Sequence, residues 1–261
     1  MNIDQPSIAR IYDYTLGGMA NFAVDREVAD EFIRLCPWQV TYARENRDFL
    51  RRAVASLVDA GIDQFLDLGS GIPTVGNVHE IAHRSEPTAS VAYVDIDPVA
   101  VQLARGLLDA AGAPEGVTAT DVDMRDPGAV LAAPGVADLI DFSRPVGVLM
   151  LGILDIIDHP DPAALVAAYR DACPSGSALV ISNGAQLSMT DEQRLIAEEM
   201  MSQTSTPVLT ARTADQVRVM YEGYALWEPG IVPTAGWRPD RPVPEGALGG
   251  CNCLCGVGTL P

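Results

Sequence analysis

The residues of this sequence best suited to chemistry are carboxylates set beside glycines. Asp67-Leu68-Gly69-Ser70-Gly71-Ile72-Pro73 closes an apolar run. Its glycines let the backbone turn sharply and approach a ligand closely at the carboxyl end of a sheet. A dinucleotide fingerprint would continue Gly-x-Gly-x-x-Gly, but position 74 is threonine, which weakens a pyrophosphate reading. Asp67, two residues ahead of the first glycine, instead suits an amino-acid moiety such as that of methionine, whose α-ammonium is positive. Without a ligand, the same pair of glycines is simply a tight turn. Asp95 ends the next apolar run about two dozen residues on, where an acid can accept both ribose hydroxyl protons. Asp123-Met124-Arg125-Asp126 follows a third run. There Asp123 can take the proton of an adenine amino group while the backbone N–H of Met124 reaches a ring nitrogen. Each acid alone reads as a solvated loop residue or a helix cap, Asp97 before Pro98 above all. Acids at three successive strand ends resist that explanation.

Two further patterns point towards metal. His79-Glu80-Ile81-Ala82-His83 matches H-E-x-x-H, with both histidines on one helical face. Zinc there needs a third ligand, which only His159 or an acid can supply, and the helix follows directly on the glycine turn. Solvated helix histidines are the preferred reading. Cys251, Cys253 and Cys255 set three thiols on one face of an expected strand, a spacing too wide for one tetrahedral centre. A small-residue strand face is preferred, and no metal is expected. Trp227, Trp237 and the N-terminal tyrosines suit stacking on an aromatic substrate, or simply filling the core.

The elements that position these groups are legible in outline. Phe65–Leu68, Val91–Val94, Val117–Val122, Val146–Leu151 and Ala178–Ser182 read as strands. Between them, Val75–His83, Pro98–Ala111, Pro127–Ala133 and Pro162–Cys173 read as helices. Near-continuous apolar strands alternating with amphipathic helices predict an α/β fold with a parallel sheet covered on both faces. Residues 1–60 are mostly helical in pattern, Tyr42–Val58 most clearly, and are expected to form a cap or lid on a core of residues 61–261. After the core come helical patterns at Met189–Met201 and Thr213–Tyr221, with Thr213 as N-cap. Tyr224–Trp227 and a final run from Cys251 to Thr259 read as strands.

Composition narrows the partners. Of 261 residues, 48% are hydrophobic and 20% charged, as in a globular chain. No apolar run reaches the roughly 18 residues that span a bilayer. The start, Met1-Asn2-Ile3-Asp4-Gln5-Pro6, lacks the basic and apolar regions of a signal peptide, so a cytoplasmic protein is expected. Five cysteines, an odd number, fit reduced thiols. A net charge of −18 repels a phosphate backbone, so nucleic acid is not an expected partner, and without an apolar span neither is a membrane. All 17 basic residues are arginine, and the absence of lysine removes Schiff-base and P-loop chemistry.

The sequence resembles a known family. Pro6-Ser7-Ile8-Ala9-Arg10-Ile11-Tyr12-Asp13-Tyr14-x-Leu16-Gly17-Gly18, with Asn21-Phe22 and Asp25-Arg26, is similar to its N-terminal signature. Leu68-Gly69-Ser70-Gly71-Ile72-Pro73-Thr74-x-Gly76-Asn77-Val78-His79-Glu80 resembles its cofactor loop. Tyr93-Val94-Asp95-x-Asp97-Pro98, Arg125-Asp126-Pro127 and Trp237-Arg238-Pro239-Asp240 extend the likeness along essentially the whole chain. The family is the S-adenosyl methyltransferase family long catalogued as a domain of unknown function. The resemblance implies a class I, Rossmann-like sheet of seven strands with the last antiparallel, and N-terminal helices capping S-adenosylmethionine. Two places depart from the family pattern. Gly152-Ile153-Leu154-Asp155 stands where a Leu-His-type pair is usual, and Gly250 to Gly256 lacks the usual basic end.

Together these readings predict a methyltransferase acting on a small molecule. A cofactor-binding module without turnover and a nicotinamide-dependent oxidoreductase are the alternatives. The expected cofactor set is Asp67, Gly69, Ser70, Gly71, Asp95, Ile96, Asp123, Met124 and Leu151, with Tyr12, Tyr14 and Asn21 contributed by the lid. Methyl transfer needs alignment first, and an O- or N-nucleophile of high pKa also wants a general base. Asp155 and His159, past the fourth strand, are the candidates, with Tyr14 and Asn183 across the cleft.

Overall fold

Strand residues alternate between two cores, and this alternation builds the molecule. Phe65, Val91, Tyr93, Leu149 and Val180 point to one face, while Leu66, Leu68, Ala92, Val94, Val148 and Ile181 point to the other. The structure, a computed structural model, describes residues 4–73, 76–112, 114–244 and 246–261. Thr74, which breaks the dinucleotide fingerprint, Val75, the expected start of the following helix, and Met1 to Ile3 of the N-terminal reading lie outside the described residues.

Five strands run parallel: β1 (Gln64–Leu68), β2 (Ser90–Asp95), β3 (Val117–Asp121), β4 (Gly147–Leu151) and β5 (Ala178–Gly184). Against β5 the last strand, β8 (Cys253–Thr259), runs antiparallel from Ala178↔Thr259 to Gly184↔Cys253. Two short strands, β6 (Ala225–Leu226) and β7 (Val232–Pro233), pair antiparallel with β8. The spatial order is β3-β2-β1-β4-β5-β8-β6, with β7 also on β8. This is the class I methyltransferase sheet with its antiparallel C-terminal strand, as expected. It has eight strands rather than seven among the described residues, because the Pro- and Gly-rich loop after β6 contributes the two-residue β7. The final strand starts at Cys253; Cys251 sits in a helical turn after α11 (Ala247–Gly250), so the three thiols do not share one strand face.

Helices α5 (Pro98–Ala110), α6 (Pro127–Ala132) and α8 (Pro162–Arg170) all begin with Asp-Pro. In each the aspartate caps the first turn: Asp97 accepts from Val99 N, Asp126 from Ala129 N and Asp161 from Ala164 N. Thr213 caps α10 (Ala214–Val219) as expected. The H-E-x-x-H helix, α4 (Val78–Ala82), packs with α5 and α3 (Trp38–Asp59) on one face of the sheet, where Phe49, Val54 and Leu57 of α3 fill the core. The other face is covered by α6, α7 (Pro134–Ala137), α8 and α10. A third, small core joins Phe32 of α2 (Ala23–Leu35) to Ala197 and Met200 of α9 (Asp191–Ser202). Thus α1 (Ile8–Thr15), α2 and α9 roof the carboxyl ends of the strands, while α3 is part of the sheet's own packing. No described helix is long and apolar enough to cross a membrane.

Candidate active site

The carboxyl ends of β2, β1, β4 and β5 open into one cavity of about 700 Å³ beneath the N-terminal helices and α9. Its place, where the strand order reverses about β1, is where open α/β sheets bind ligands.

At the β1 end, Gly69 N and Ser70 N donate to Val94 O at 2.8 and 3.0 Å, folding the glycine turn over β2. Gly69 lies at φ +70°, and a Cβ there would collide with Ile153. Asp67 is buried and lines the cavity. Its burial pushes the carboxyl up to about 7; the Arg47 guanidinium pulls it down and Asp95 raises it. At the end of β2, Asp95 Oδ2 accepts from Gly71 N and Oδ1 from Asp97 N, both at 2.8 Å. Burial raises this carboxyl too, against those N–H groups. Ile96, beside it, lines the cavity and leaves 54% of its surface exposed, an apolar plate next to the acid.

Helix α3 supplies groups not anticipated from the sequence. Gln39, Tyr42, Asn46, Arg47 and Leu50 all line the cavity. Arg47 lies over the Tyr12 ring, 5.6 Å from its centroid, and its buried Nε has no hydrogen-bond partner. Tyr12 donates to Ala43 O and accepts from Asn46 Nδ2. Past β4, Asp155 is 2% exposed: Oδ2 accepts from Gly184 N at 3.0 Å and from Tyr42 Oη at 3.4 Å, while buried Oδ1 has no partner. Burial raises this carboxyl as well. The signal for α3 was present: Gln39, Tyr42 and Asn46 recur at helical spacing with Arg47 beside them, so polar side chains form a stripe on one face. The expectation for α3 rested only on its apolar face.

The cavity brings together Tyr12, Asp67, Gly69, Ser70, Gly71, Asp95, Ile96, Leu151 and Asp155. It does not take in Tyr14, Asn21, Asp123, Met124, His159 or Asn183. Two residues along a helix turn a side chain by about 200°, so Tyr14 leaves the side occupied by Tyr12 and donates to Asp30 at the surface. Asn21 donates to Asp13 and Gly18 O, tying the connection between α1 and α2. Asp123 is engaged by the Arg125 guanidinium and N–H. Met124 is packed in the core, with its carbonyl accepting from Tyr169 Oη. His159 Nδ1 accepts from Asp161 N in the loop before α8. Asn183 is buried between Gly184 O and Arg212.

The histidines of the H-E-x-x-H pattern are hydrogen-bonded into the fold rather than solvated as expected, and His79 is buried. His79 Nδ1 bonds Tyr93 Oη at 2.8 Å and His83 Nε2 bonds Ala89 O at 2.9 Å. No group of three or more His, Cys, Asp or Glu fit to hold a metal occurs among the described residues.

The likeness to known proteins agrees with this geometry. A crystal structure of a methyltransferase candidate from Thermobifida fusca superposes with a TM-score of 0.91 at 38% identity, over 99% of this chain and 96% of that one. A DUF574 family protein from Streptomyces avermitilis gives 0.91 at 35% identity, over 100% and 99%. The N-methyltransferase NodS of Bradyrhizobium japonicum, in complex with S-adenosyl-L-homocysteine, shares the fold: TM-score 0.51 and 13% identity over 90% and 97%. No curated protein matches the chain. The sequence profile of the S-adenosyl methyltransferase family matches residues 1–261, and the chain belongs to that family.

Proposed function

We propose that the chain transfers the methyl group of S-adenosylmethionine to a small molecule held in the same cavity, under a cap formed by α1, α2 and α9 on a core that includes α3. One observation carries this reading: Asp67, a buried acid, shares a corner of the cavity with Arg47, whose buried Nε lacks a partner. An acid awaiting a cation beside a donor awaiting an acceptor fits the ammonium and carboxylate of the cofactor's methionine moiety. Asp95 keeps lone pairs beyond those used by Gly71 N and Asp97 N, as two ribose hydroxyls require. Ile96 offers adenine an apolar face, and the cavity lies within the roughly 300–1,000 Å³ typical of small-ligand sites.

Bound S-adenosylmethionine supplies a methyl group on a sulfonium, open to in-line displacement, so alignment of the reactants does most of the catalysis. Tyr12 and Asn46 brace the roof, and α1, α2 and α9 exclude water. Asp155, on the β4–β5 side, takes the acceptor's proton. The net charge of −18 supports a small molecule over nucleic acid. The test is incubation with methyl-labelled S-adenosylmethionine and the low-mass fraction of a bacterial extract. Label passing into an extractable small molecule is expected; cofactor that binds without ever losing label contradicts the reading.

A further inference from the structure

The sheet orders the cavity from end to end. Asp95 ends β2, Asp67 lies on β1, Asp155 follows β4, Gly184 ends β5, and Asn252 immediately precedes β8. The cofactor reading takes up the β2–β1 half, which leaves the β4–β5–β8 half for the acceptor. In that half two fully buried side chains each hold one unpartnered atom. They are Asp155 Oδ1, an acceptor, and Asn252 Nδ2, a donor, on residues 2% and 1% exposed; the half-buried Trp38 adds an unpartnered Nε1 in the aromatic wall.

Each is otherwise anchored on either side of Gly184-Ala185. Asp155 Oδ2 takes Gly184 N; a Cβ at 184 would lie 2.6 Å from that oxygen, so glycine lets the acid come close. Asn252 accepts Leu187 N and Ser188 N on Oδ1 and Ala185 N on its carbonyl. An orphaned buried donor or acceptor is costly to leave without a partner, and a ligand supplying the missing partners recovers that cost.

Aromatic and apolar side chains form one wall of the compartment, facing a rim that includes Gln39, Gln186, Ser205 and Thr206. Phe32 and Trp38 stand edge to face at 6.1 Å, as do Trp38 and Tyr42 at 6.5 Å, with Met189, Met201 and Leu209 beside them. Such walls favour a flat ring. Charge restricts the class further. Of the three arginines lining the cavity, Arg10 is bound to Asp25 and Arg194 to Glu198, while Arg47 lies at the cofactor end. Arg212, whose charge acts on Asp155, lies outside the lining and is bonded to Leu154 O and Asn183 Oδ1, so among the described residues the lining leaves no unpaired cation in this half for an anionic acceptor. An aliphatic amine meets the opposite problem, because a neighbouring carboxylate stabilises its ammonium, whose lone pair is blocked.

We infer that the methyl acceptor is an uncharged hydroxyarene with a second oxygen, its hydroxyl donating to Asp155 Oδ1 and its second oxygen accepting from Asn252 Nδ2. This rests on the methyltransferase reading above. In the step, a lone pair of the hydroxyl oxygen forms the new C–O bond while the carbon–sulfur bond breaks with its electron pair passing to sulfur. The hydroxyl proton goes to Asp155 Oδ1. The products are an aryl methyl ether and S-adenosylhomocysteine, a neutral thioether.

Calorimetry on protein saturated with S-adenosylhomocysteine tests this with umbelliferone and hydroxyflavones as probes. Matched methyl ethers, carboxylates and aminomethyl analogues serve as comparators. The hydroxyarenes are expected to bind at least about tenfold tighter than every comparator. Asp155→Asn and Asn252→Asp should each weaken hydroxyarene binding roughly tenfold while S-adenosylhomocysteine binds as before. Asn252→Asp keeps the Oδ1 contacts and a residue type tolerant of the φ of +43° at this position. It therefore carries the test if Asp155→Asn does not fold. S-adenosylhomocysteine binding with no preference for hydroxyarenes, or with the carboxylate or amine preferred, overturns this inference alone. Absence of S-adenosylhomocysteine binding overturns the methyltransferase reading together with it.

Discussion

Replacing Asp67 by Asn should make the unliganded protein more stable and the cofactor bind less tightly. Burial holds the Asp67 carboxyl at about 7 in the folded chain, against about 3.9 in an unfolded one. The folded state therefore binds more protons than the unfolded state between pH 4 and 7, approximately, and stability falls as pH rises through that window. About three pKa units at ~1.36 kcal/mol each leave a penalty of roughly 4 kcal/mol above pH 7, and almost none at pH 4. An asparagine amide removes the charge but is itself desolvated at a cost of about 1–2 kcal/mol, so the net gain at pH 8 is ~2–3 kcal/mol. For a chain of this size that is a rise in Tm of roughly 4–10 °C. Scanning calorimetry at pH 8 and pH 4 reads it directly. In the same variant the charge-assisted contact to the α-ammonium is lost, weakening S-adenosylmethionine by about 2–3 kcal/mol, or ~30- to 150-fold. A Tm unchanged or lowered at pH 8, or a gain that persists equally at pH 4, would refute the assignment of a strained, ionised Asp67.

Other consequences are open to equally simple experiments. Asp95→Ala should weaken S-adenosylmethionine by about 1.5–3 kcal/mol in calorimetry, since charge-assisted hydrogen bonds to the ribose are lost; unchanged affinity would remove Asp95 from the ribose. Hydrogen exchange across Tyr12 to Phe22 should slow on saturation with cofactor, because Tyr12 lines the cavity from α1. Exchange indifferent to the cofactor would make this segment a rigid support. Metal analysis of protein purified without added zinc should find no stoichiometric zinc, given the commitments of His79 to Tyr93 and His83 to Ala89. One equivalent of zinc lost on His79→Ala would reverse that.

What could be read from the sequence follows from how local each signal is. Asp67, Gly69, Gly71 and Asp95 belong to strand-turn-helix units whose periodicity and turn residues lie within a few positions, and these reach the cavity. Asp155 is legible for the same reason, being just past β4. Tyr14 and Asn21 are expected at the cofactor from the family likeness of the N-terminal segment, and His159 from its place just past the fourth strand; neither signal fixes a side chain's orientation. Tyr14 leaves the cavity because α1 is a helix, and His159 because the loop before α8 turns back on Asp161. The contributions of Tyr42, Asn46 and Arg47 depend on α3 packing over strands that follow it in the chain, which no local pattern specifies. Only the recurrence of polar residues on one helical face marks them. Asn252 is the extreme case, a left-handed residue next to β8 that reaches the cavity because that strand returns beside β5. The reading of Cys251, Cys253 and Cys255 as one strand face failed similarly, because the chain is still in a helical turn at Cys251.

The most direct test of an S-adenosyl site in this cavity is a calorimetric titration of the unmodified protein at pH 8 with S-adenosylhomocysteine and, separately, NAD. One equivalent of S-adenosylhomocysteine should bind with a measurable heat and NAD should give none, since the methionine end meets Asp67 and Arg47 whereas a pyrophosphate would meet Asp67 and Asp95. Saturable binding of NAD without binding of S-adenosylhomocysteine would contradict the account.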